Sequence, residues 1–320
     1  MTNSGPQVSI LICSRERRKE LESLVIELKR MDTSFSYEIV IVEETDCNSP
    51  IDGVHYVGHP LADRGIAYAR NLALAHARGS FIVFIDDDCA ISEHWLDELL
   101  EPFKDASIIG VQGGVRVPPT SNAVGWAESL LGFPGGGIRR IFDSCGRIKK
   151  TREISTLNCA YRKEIIERIG GFDDRLKYGG EDYLIAKQAC DHGCCVFVPN
   201  ALVIHRPRGS FAHIWTWFVR RGRAEIDVIK TNKQADTDFL TLLKSSLYFK
   251  LGLIVPLGAV FGPWLFGLVL MSYSIVQTAR VYAAYRSHGI HPRVLLVLPL
   301  VKLIMDMAQD WGRIQGMINA

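Results

Sequence analysis

Residues 81–88 read Phe-Ile-Val-Phe-Ile-Asp-Asp-Asp, an apolar run that ends directly in Asp86, Asp87 and Asp88. Adjacent carboxylates repel one another unless a cation neutralises them. Oxygen ligands suit Mg²⁺ or Mn²⁺, ions that commonly hold a phosphate-bearing substrate through one or two carboxylates. The competing reading is a solvated acidic turn ahead of a helix that starts near Ser92-Glu93. Two further acidic pairs have a related setting. Glu43-Glu44 ends the apolar stretch 37–42, and Gly180-Glu181-Asp182 opens a pattern that continues with Leu184, Ile185 and Ala189. Acids in the first turn of a helix are favoured by its dipole whether or not they do chemistry. Cys190-Asp191-His192-Gly193-Cys194-Cys195 fits no common zinc spacing, so buried thiols at a helix-to-strand junction are expected there.

The elements that must position these groups alternate along the first 110 residues. Stretch 8–13 is a short apolar strand ending at Ser14-Arg15, and Leu21, Leu24, Val25, Leu28 and Met31 recur at helical spacing. Strands are expected at 37–42 and 54–57, then an Ala-rich helix over 65–77 closed by Gly79 in the position after its C-cap. The run before the acid triplet is a strand buried on both faces, and a helix through Trp95, Leu96, Leu99 and Leu100 follows. Strand–helix alternation at this pitch predicts right-handed βαβ units and a mostly parallel sheet. Ligands in such sheets bind at the carboxyl ends of the strands, where the acids stand. From 113 to 150 the pattern weakens among glycines, as in a functional loop, with one short helix around 126–131. It resumes with a helix at 163–169 and strands at 196–198 and 202–204, the latter ending at His205.

At 320 residues the chain exceeds one typical domain, and a net charge of +2 gives no reason to expect a nucleic-acid partner. Between Arg206 and Lys250, nine basic residues (Arg206, Arg208, Arg220, Arg221, Arg223, Lys230, Lys233, Lys244, Lys250) face four acids. Such a stretch suits an anionic membrane surface or a phosphate-rich ligand. The eight cysteines form no even framework and no secretory leader is visible, which points to a reducing cytosolic compartment. Residues 251–279 carry no charge, enough to cross a bilayer, although Pro256 and Pro263 also suit a re-entrant hairpin. The second apolar piece, 294–305, carries Lys302 and reads as interfacial or packed on the first.

In their order, these pieces resemble glycosyltransferase family 2, inverting enzymes with a GT-A fold. The resemblance runs from Val8 to His205. It rests on the segments 8–15, 39–44, Gly65-Ile66-Ala67-Tyr68-Ala69-Arg70-Asn71, Ala77-Arg78-Gly79, 84–88, Gly170-Gly171-Phe172-Asp173, Gly180-Glu181-Asp182 and His205. It implies an α/β GT-A domain over 1–235, with a donor half at about 1–112 and an acceptor half at about 113–210. A C-terminal hydrophobic helical region, membrane-associated at the cytosolic face, would fill 236–320.

The resemblance also implies roles. Asp86 and Asp88 are the outer acids of the family's Asp-x-Asp element, Asp86 near the ribose and Asp88 on Mn²⁺ or Mg²⁺. Asp87 could share either role. Asp182 is the expected base for an acceptor hydroxyl and Glu181 its neighbour. Ser14, Arg15, Glu43 and Arg70 are expected around the donor's base or diphosphate. Glu43 stands where the family usually has Asp, a departure that leaves the choice of base open; the resemblance favours a UDP-sugar, with a GDP-sugar possible. His205 is a third metal ligand or a structural histidine. The implied reaction moves a sugar from a nucleoside-diphosphate sugar to a lipid-linked or polysaccharide acceptor. The alternatives are a polyprenyl-phosphate sugar synthase, a nucleotidyltransferase (whose Gly-rich loop is missing after the first strand) and a catalytically idle membrane scaffold.

Overall fold

The computed structural model describes residues 5–47, 49–231, 239–262 and 264–318. The boundary expected at 235/236 and the proline at 263 lie outside them. The chain begins with β1 (Val8–Arg15), α1 (Arg18–Arg30), β2 (Tyr37–Glu44), β3 (His55–His59), α2 (Ile66–His76) and β4 (Phe81–Ile85). It continues with β5 (Cys89–Ile91), α3 (Trp95–Leu100), β6 (Ile108–Arg116), α4 (Ala123–Leu130), α5 (Gly137–Ser144) and β7 (Lys149–Lys150). Then come β8 (Asn158–Arg162), α6 (Lys163–Ile169), α7 (Glu181–Cys190) and β9 (Cys194–His205). The last elements are helical: α8 (Phe211–Thr231), α9 (Phe239–Ser245), α10 (Leu247–Phe261), α11 (Trp264–Tyr285) and α12 (Pro292–Ile318).

The chain divides into two compact units. The first comprises Met1–Pro118, Pro134–Lys177 and Glu181–Arg206; the second comprises Pro119–Phe133, Tyr178–Gly180 and Pro207–Ala320. Among the described residues all nine strands lie in the first unit, in the order β3-β2-β1-β4-β8-β6-β9-β5, with β7 beside β9. The neighbours β3, β2, β1 and β4 are parallel, as the alternation requires. Beyond β4 the sheet is mixed, because β8 runs antiparallel to both β4 and β6.

Period-two alternation explains why the strands read as unbroken apolar runs. Ile10, Ile12, Ile39, Ile41, Val83 and Ile85 pack on one face with α1 and α3. Leu11, Val40, Val42, Ile82 and Phe84 pack on the other with α2, α6 and α7. Leu21, Leu24, Val25 and Leu28 form the buried stripe of α1, each stabilising by roughly 1.5–3 kcal/mol through burial.

Three local expectations are corrected. Gly79 does not cap α2, whose C-cap is Ala77 in extended conformation. It lies flush against β1, where an added Cβ would stand 2.5 Å from Ser9 N and from Val8 C. The Gly113-Gly114 pair is no loop but the middle of β6. Side chains there would collide with Asn158, with the Ala201 carbonyl and with the Pro199 carbonyl. The helix expected around 126–131 is α4, but β6 and α5 replace much of the rest of the expected loop. Finally, 196–198 and 202–204 form one strand. The register of β9 on β6 jumps from Val198 opposite Gly113 to Leu202 opposite Gly114, so 199–201 bulge out, with Pro199 where no ladder donor is needed.

In the second unit α8 and α12 touch backbone to backbone. A Cβ on Gly222 would stand 2.0 Å from the Gln309 carbonyl oxygen, and one on Gly312 would stand 2.0 Å from that of Val219. Ala308, Gly312 and Gly316, four residues apart, make the flat stripe on α12 that permits this approach. Arg313 locks the crossing through Glu225 of α8 and Asp310 of its own helix. Among the described residues one helix, Trp264–His288, is long and apolar enough to cross a membrane, and 6 % of its apolar window is buried. α12 packs on it through Tyr273, which donates to Asp306 at 2.6 Å, and Lys302 pairs with the same carboxylate.

The fit at Gly79 is directly testable. Gly79→Ala is expected to destabilise the first unit by about 1–3 kcal/mol, as overpacking does. In urea unfolding this lowers the midpoint at unchanged slope.

Candidate functional site

β4 delivers the acid triplet to the end of the sheet, and the short strand β5 decides what meets it. β5 pairs antiparallel with β9, placing Cys89 opposite His205. The histidine, distant in sequence, thereby arrives beside Asp88, with Nε2 3.1 Å from Asp88 Oδ1. That is ion-pair distance; Asp88 Oδ1 is buried with no partner in hydrogen-bond geometry, and so is His205 Nδ1 on the other side of the ring. Asp86, Asp88 and His205 offer ligand atoms that all lie within 4.8 Å of one another. Among the described residues, no other cluster of His, Cys, Asp or Glu does so. Two carboxylates and an imidazole facing one another without a hydrogen bond between them fit a divalent cation.

Asp87 points elsewhere. Its Oδ2 accepts from Ser14 Oγ at 2.7 Å and its Oδ1 from Arg17 Nη1 at 3.1 Å. The same Arg17 nitrogen donates to Asp88 Oδ2 at 2.8 Å. Burial raises the Asp87 carboxyl to about 6, against the opposing Ser14 hydrogen bond and Arg17 charge. Burial also raises Asp86, despite the charges of Arg70 and His205. At Asp88 burial again pushes upward, but the close His205 ring and Arg17 outweigh it, so this carboxyl sits below its ordinary value. Asp88 is the acid of the three held most firmly in its charged form. Cys13, at the end of β1, is pushed up to about 12 by burial and stays a thiol.

A second cluster joins α2 to α7. Arg70 is buried and forms a charge-assisted hydrogen bond to Glu181, also buried, while Glu181 Oε2 has no hydrogen-bond partner. The Arg70 guanidinium is desolvated, yet the charges of Glu181, Asp86 and Asp182 hold its pKa above the ordinary value. Those carboxylates therefore share one electrostatic neighbourhood. Asp182 is half-buried, and its Oδ1 accepts from the Tyr183 backbone N–H at 2.8 Å. The next residue on α2, Asn71, exchanges two 2.8 Å hydrogen bonds with the Phe172 backbone. The Arg70-Asn71 pair and the Gly170-Gly171-Phe172-Asp173 segment are thus one interlocked feature.

The remaining expected residues are already engaged. Glu43 is buried and accepts from Arg18 at 2.9 Å and from Tyr56 Oη at 2.6 Å. Arg15 is exposed and pairs with Asp63 at 2.9 Å and with Glu44 at 3.5 Å. Sequence reasoning overlooked Arg17 and Arg18, and it named Glu44 only as one of the acids ending the second strand. Glu44 organises the 62–63 turn by accepting from the Ala62 and Asp63 backbone, each at 2.9 Å. The available signal was charge pairing: Arg15, Arg17 and Arg18 stand at or just past the end of β1, and the acids stand at the end of β2 and just past β4. The cysteine cluster does lie at a helix-to-strand junction, Cys190 ending α7 and Cys194-Cys195 opening β9.

Arg70→Met strands the Glu181 carboxylate in a buried site. It is expected to cost about 3–5 kcal/mol, and Arg70→Met combined with Glu181→Met to recover most of that. Denaturant unfolding of the single and double variants checks the non-additivity.

A model of glycosyl transferase family 2 matches residues 9–170, half of the chain. Glycosyltransferase AglE of Haloferax volcanii is 21% identical over 249 residues, covering 71% of this chain and 76% of that protein. The succinoglycan biosynthesis protein ExoM of Rhizobium meliloti is 27% identical over 241 residues, covering 69% and 73% respectively. In three dimensions the chain is similar to the mannosyltransferase PcManGT from Pyrobaculum calidifontis, solved with GDP-Man and Mn²⁺. The TM-score is 0.55 at 16% identity, over 99% of this chain and 88% of that one. The chain belongs to glycosyl transferase family 2: it is a glycosyltransferase whose mixed sheet and flanking helices form the GT-A fold.

Proposed function

We propose that this glycosyltransferase is metal-dependent and inverting, and that it moves a sugar from a nucleoside-diphosphate sugar to a hydroxyl of a lipid-linked or polysaccharide acceptor. The observation that carries the reading is the convergence of Asp86, Asp88 and His205, from the end of β4 and from β9, with Asp88 Oδ1 buried and without a hydrogen-bond partner. The similar mannosyltransferase was solved with a nucleotide sugar and Mn²⁺, which supports the same chemistry here. In this reading Asp88, Asp86 and His205 hold Mn²⁺ or Mg²⁺, which offsets the charge that the departing diphosphate gains.

The protein's own groups do the rest. Asp86 orients the ribose, and Ser14 and Arg17 hold Asp87 away from the ligand set. Ser14, Arg15, Glu43 and Arg70 border the donor's base and diphosphate. A UDP-sugar is favoured over a GDP-sugar. Asp182, at the start of α7, takes the proton of the acceptor hydroxyl as its oxygen bonds to the anomeric carbon and the bond to diphosphate breaks on the opposite face. Glu181 acts beside it by fixing α7 to Arg70. Residues 1–112 serve the donor and 113–210 the acceptor. The exposed apolar helix Trp264–His288 supports attachment to a membrane, and we place the reaction at its cytosolic face.

The test is hydrolysis of a panel of UDP- and GDP-sugars by the purified full chain, with Mn²⁺, with Mg²⁺ and with a chelator. Slow release of nucleoside diphosphate from one donor is expected, abolished by chelation and by Asp88→Ala at an unchanged melting temperature. Release from no donor, with no metal-dependent nucleotide binding, overturns the reading. Once an acceptor is found, Asp182→Asn is expected to lower transfer by about 10²–10⁴-fold, the range for a lost general base. A mild effect would point instead to a phosphate acceptor that needs no strong base.

A further inference from the structure

The second unit carries a cleft of about 390 Å³ in which α8 and α12 form the walls and Tyr178 one end. Its chemistry is unlike that of the acid site. Arg220 and Arg223 of α8 face it together with Trp215, Tyr178, Trp311 and Gln315. Arg220 spends its Nε on the Tyr178 carbonyl at 2.9 Å, and Arg223 donates to Gln315 Oε1 at 3.0 Å and 2.6 Å. Neither guanidinium has a carboxylate within ion-pair distance among the described residues. The lining contains no acid, so the cleft is a positively charged recess. Arg220 is exposed, with terminal nitrogens free to take a bidentate oxyanion.

Its walls are also pre-set. The backbone contacts at Gly222 and Gly312 and the Glu225–Arg313–Asp310 network fix α8 on α12. This holds the two arginines in register with Trp311 and Gln315, so a ligand need not order them. The aromatic lining argues for an amphiphile. Trp215 and Trp311 are 37 % and 43 % exposed, although they line a recess. Indole rings in that position suit the boundary between a polar headgroup and acyl chains. The same unit contains the outward-facing apolar helix Trp264–His288, with Met271, Ile275 and Tyr282 among its exposed side chains.

We propose that the α8–α12 cleft binds the phosphate of a lipid-linked acceptor, with Arg220 and Arg223 on the phosphate oxygens and Trp215 and Trp311 beside the lipid. The proposal narrows the acceptor class and so rests on the glycosyltransfer reading above. It also explains why, among the described residues, Arg220 and Arg223 meet no acid at ion-pair distance, in a stretch where Arg208 and Arg313 are each matched to a buried or half-buried acid.

Calorimetric titration of the full chain in detergent micelles with farnesyl diphosphate, inorganic diphosphate and farnesol tests it. Farnesyl diphosphate is expected to bind, with each arginine replaced (Arg220→Gln, Arg223→Gln) weakening it about tenfold, the loss of one charge-assisted contact. Farnesol and inorganic diphosphate are expected to bind far more weakly. Inorganic diphosphate binding as tightly as the prenyl compound, or wild-type affinity in the double variant, overturns the proposal. So does a parallel loss of binding to vesicles of anionic phosphatidylglycerol, which would make the cleft a reader of bulk headgroups. Arg220→Gln alters an exposed side chain and carries the test alone if the double variant does not fold. Binding is read without donor, so a chain that hydrolysed no nucleotide sugar would indict the acid site and not the cleft.

Discussion

Three carboxylates leave the buried strand β4 side by side, and their mutual repulsion is the constraint around which the first unit is organised. Each is matched by a group from a different element. Asp87 is taken by Ser14 of β1 and by Arg17, which also reaches Asp88. Asp88 meets His205 of β9, and Asp86 feels Arg70 of α2. The result ties down the middle acid through both of its oxygens, while Asp86 and the buried Oδ1 of Asp88 stay open to a cation. A plain acidic turn in water would need none of this.

Keeping His205 in place takes several features that look unrelated in the sequence. β9 must run parallel beside β6 and then step past it, and the 199–201 bulge supplies the step. Asn158 fills the gap by donating to the Gly114 and Ala201 carbonyls and accepting from the buried Trp95 indole. Gly113 leaves room for that amide, and Gly114 leaves room for the Pro199 carbonyl. β5 then clamps the end of β9. Loss of any of these would move the histidine without touching a ligand.

The two motifs on the other face are coupled in the same way. Arg70 ties the start of α7, and with it Asp182, to α2, while Asn71 ties α2 to the loop at Phe172. A buried ion pair of this kind adds little net stability over an apolar pair. It does fix where a helix begins, and here the helix begins with the carboxylates in question. In the second unit the Glu225–Arg313–Asp310 network plays the corresponding part for α8 and α12.

The sequence by itself determined the parallel half of the sheet and the positions of its acids. Strands buried on both faces must be continuously apolar, and helices packed on them must repeat every three to four residues, so both are visible one segment at a time. The resemblance to glycosyltransferase family 2 was likewise carried by local segments. The tertiary structure alone decided the antiparallel β8, the glycine-bearing β6, the three-residue β5 and the joining of two apparent strands into β9. None has a periodic signature, because each exists only through what lies against it: Asn158 over Gly113, a neighbouring carbonyl beside Gly114, three rungs of ladder from Cys89 to Ile91. It also decided that Asp87 turns away, that Glu43 is committed to Arg18 and Tyr56, and that Arg17 faces the acids. Charge partners distant in sequence are chosen by the fold, since electrostatic attraction depends on separation in space and carries no periodicity along the chain.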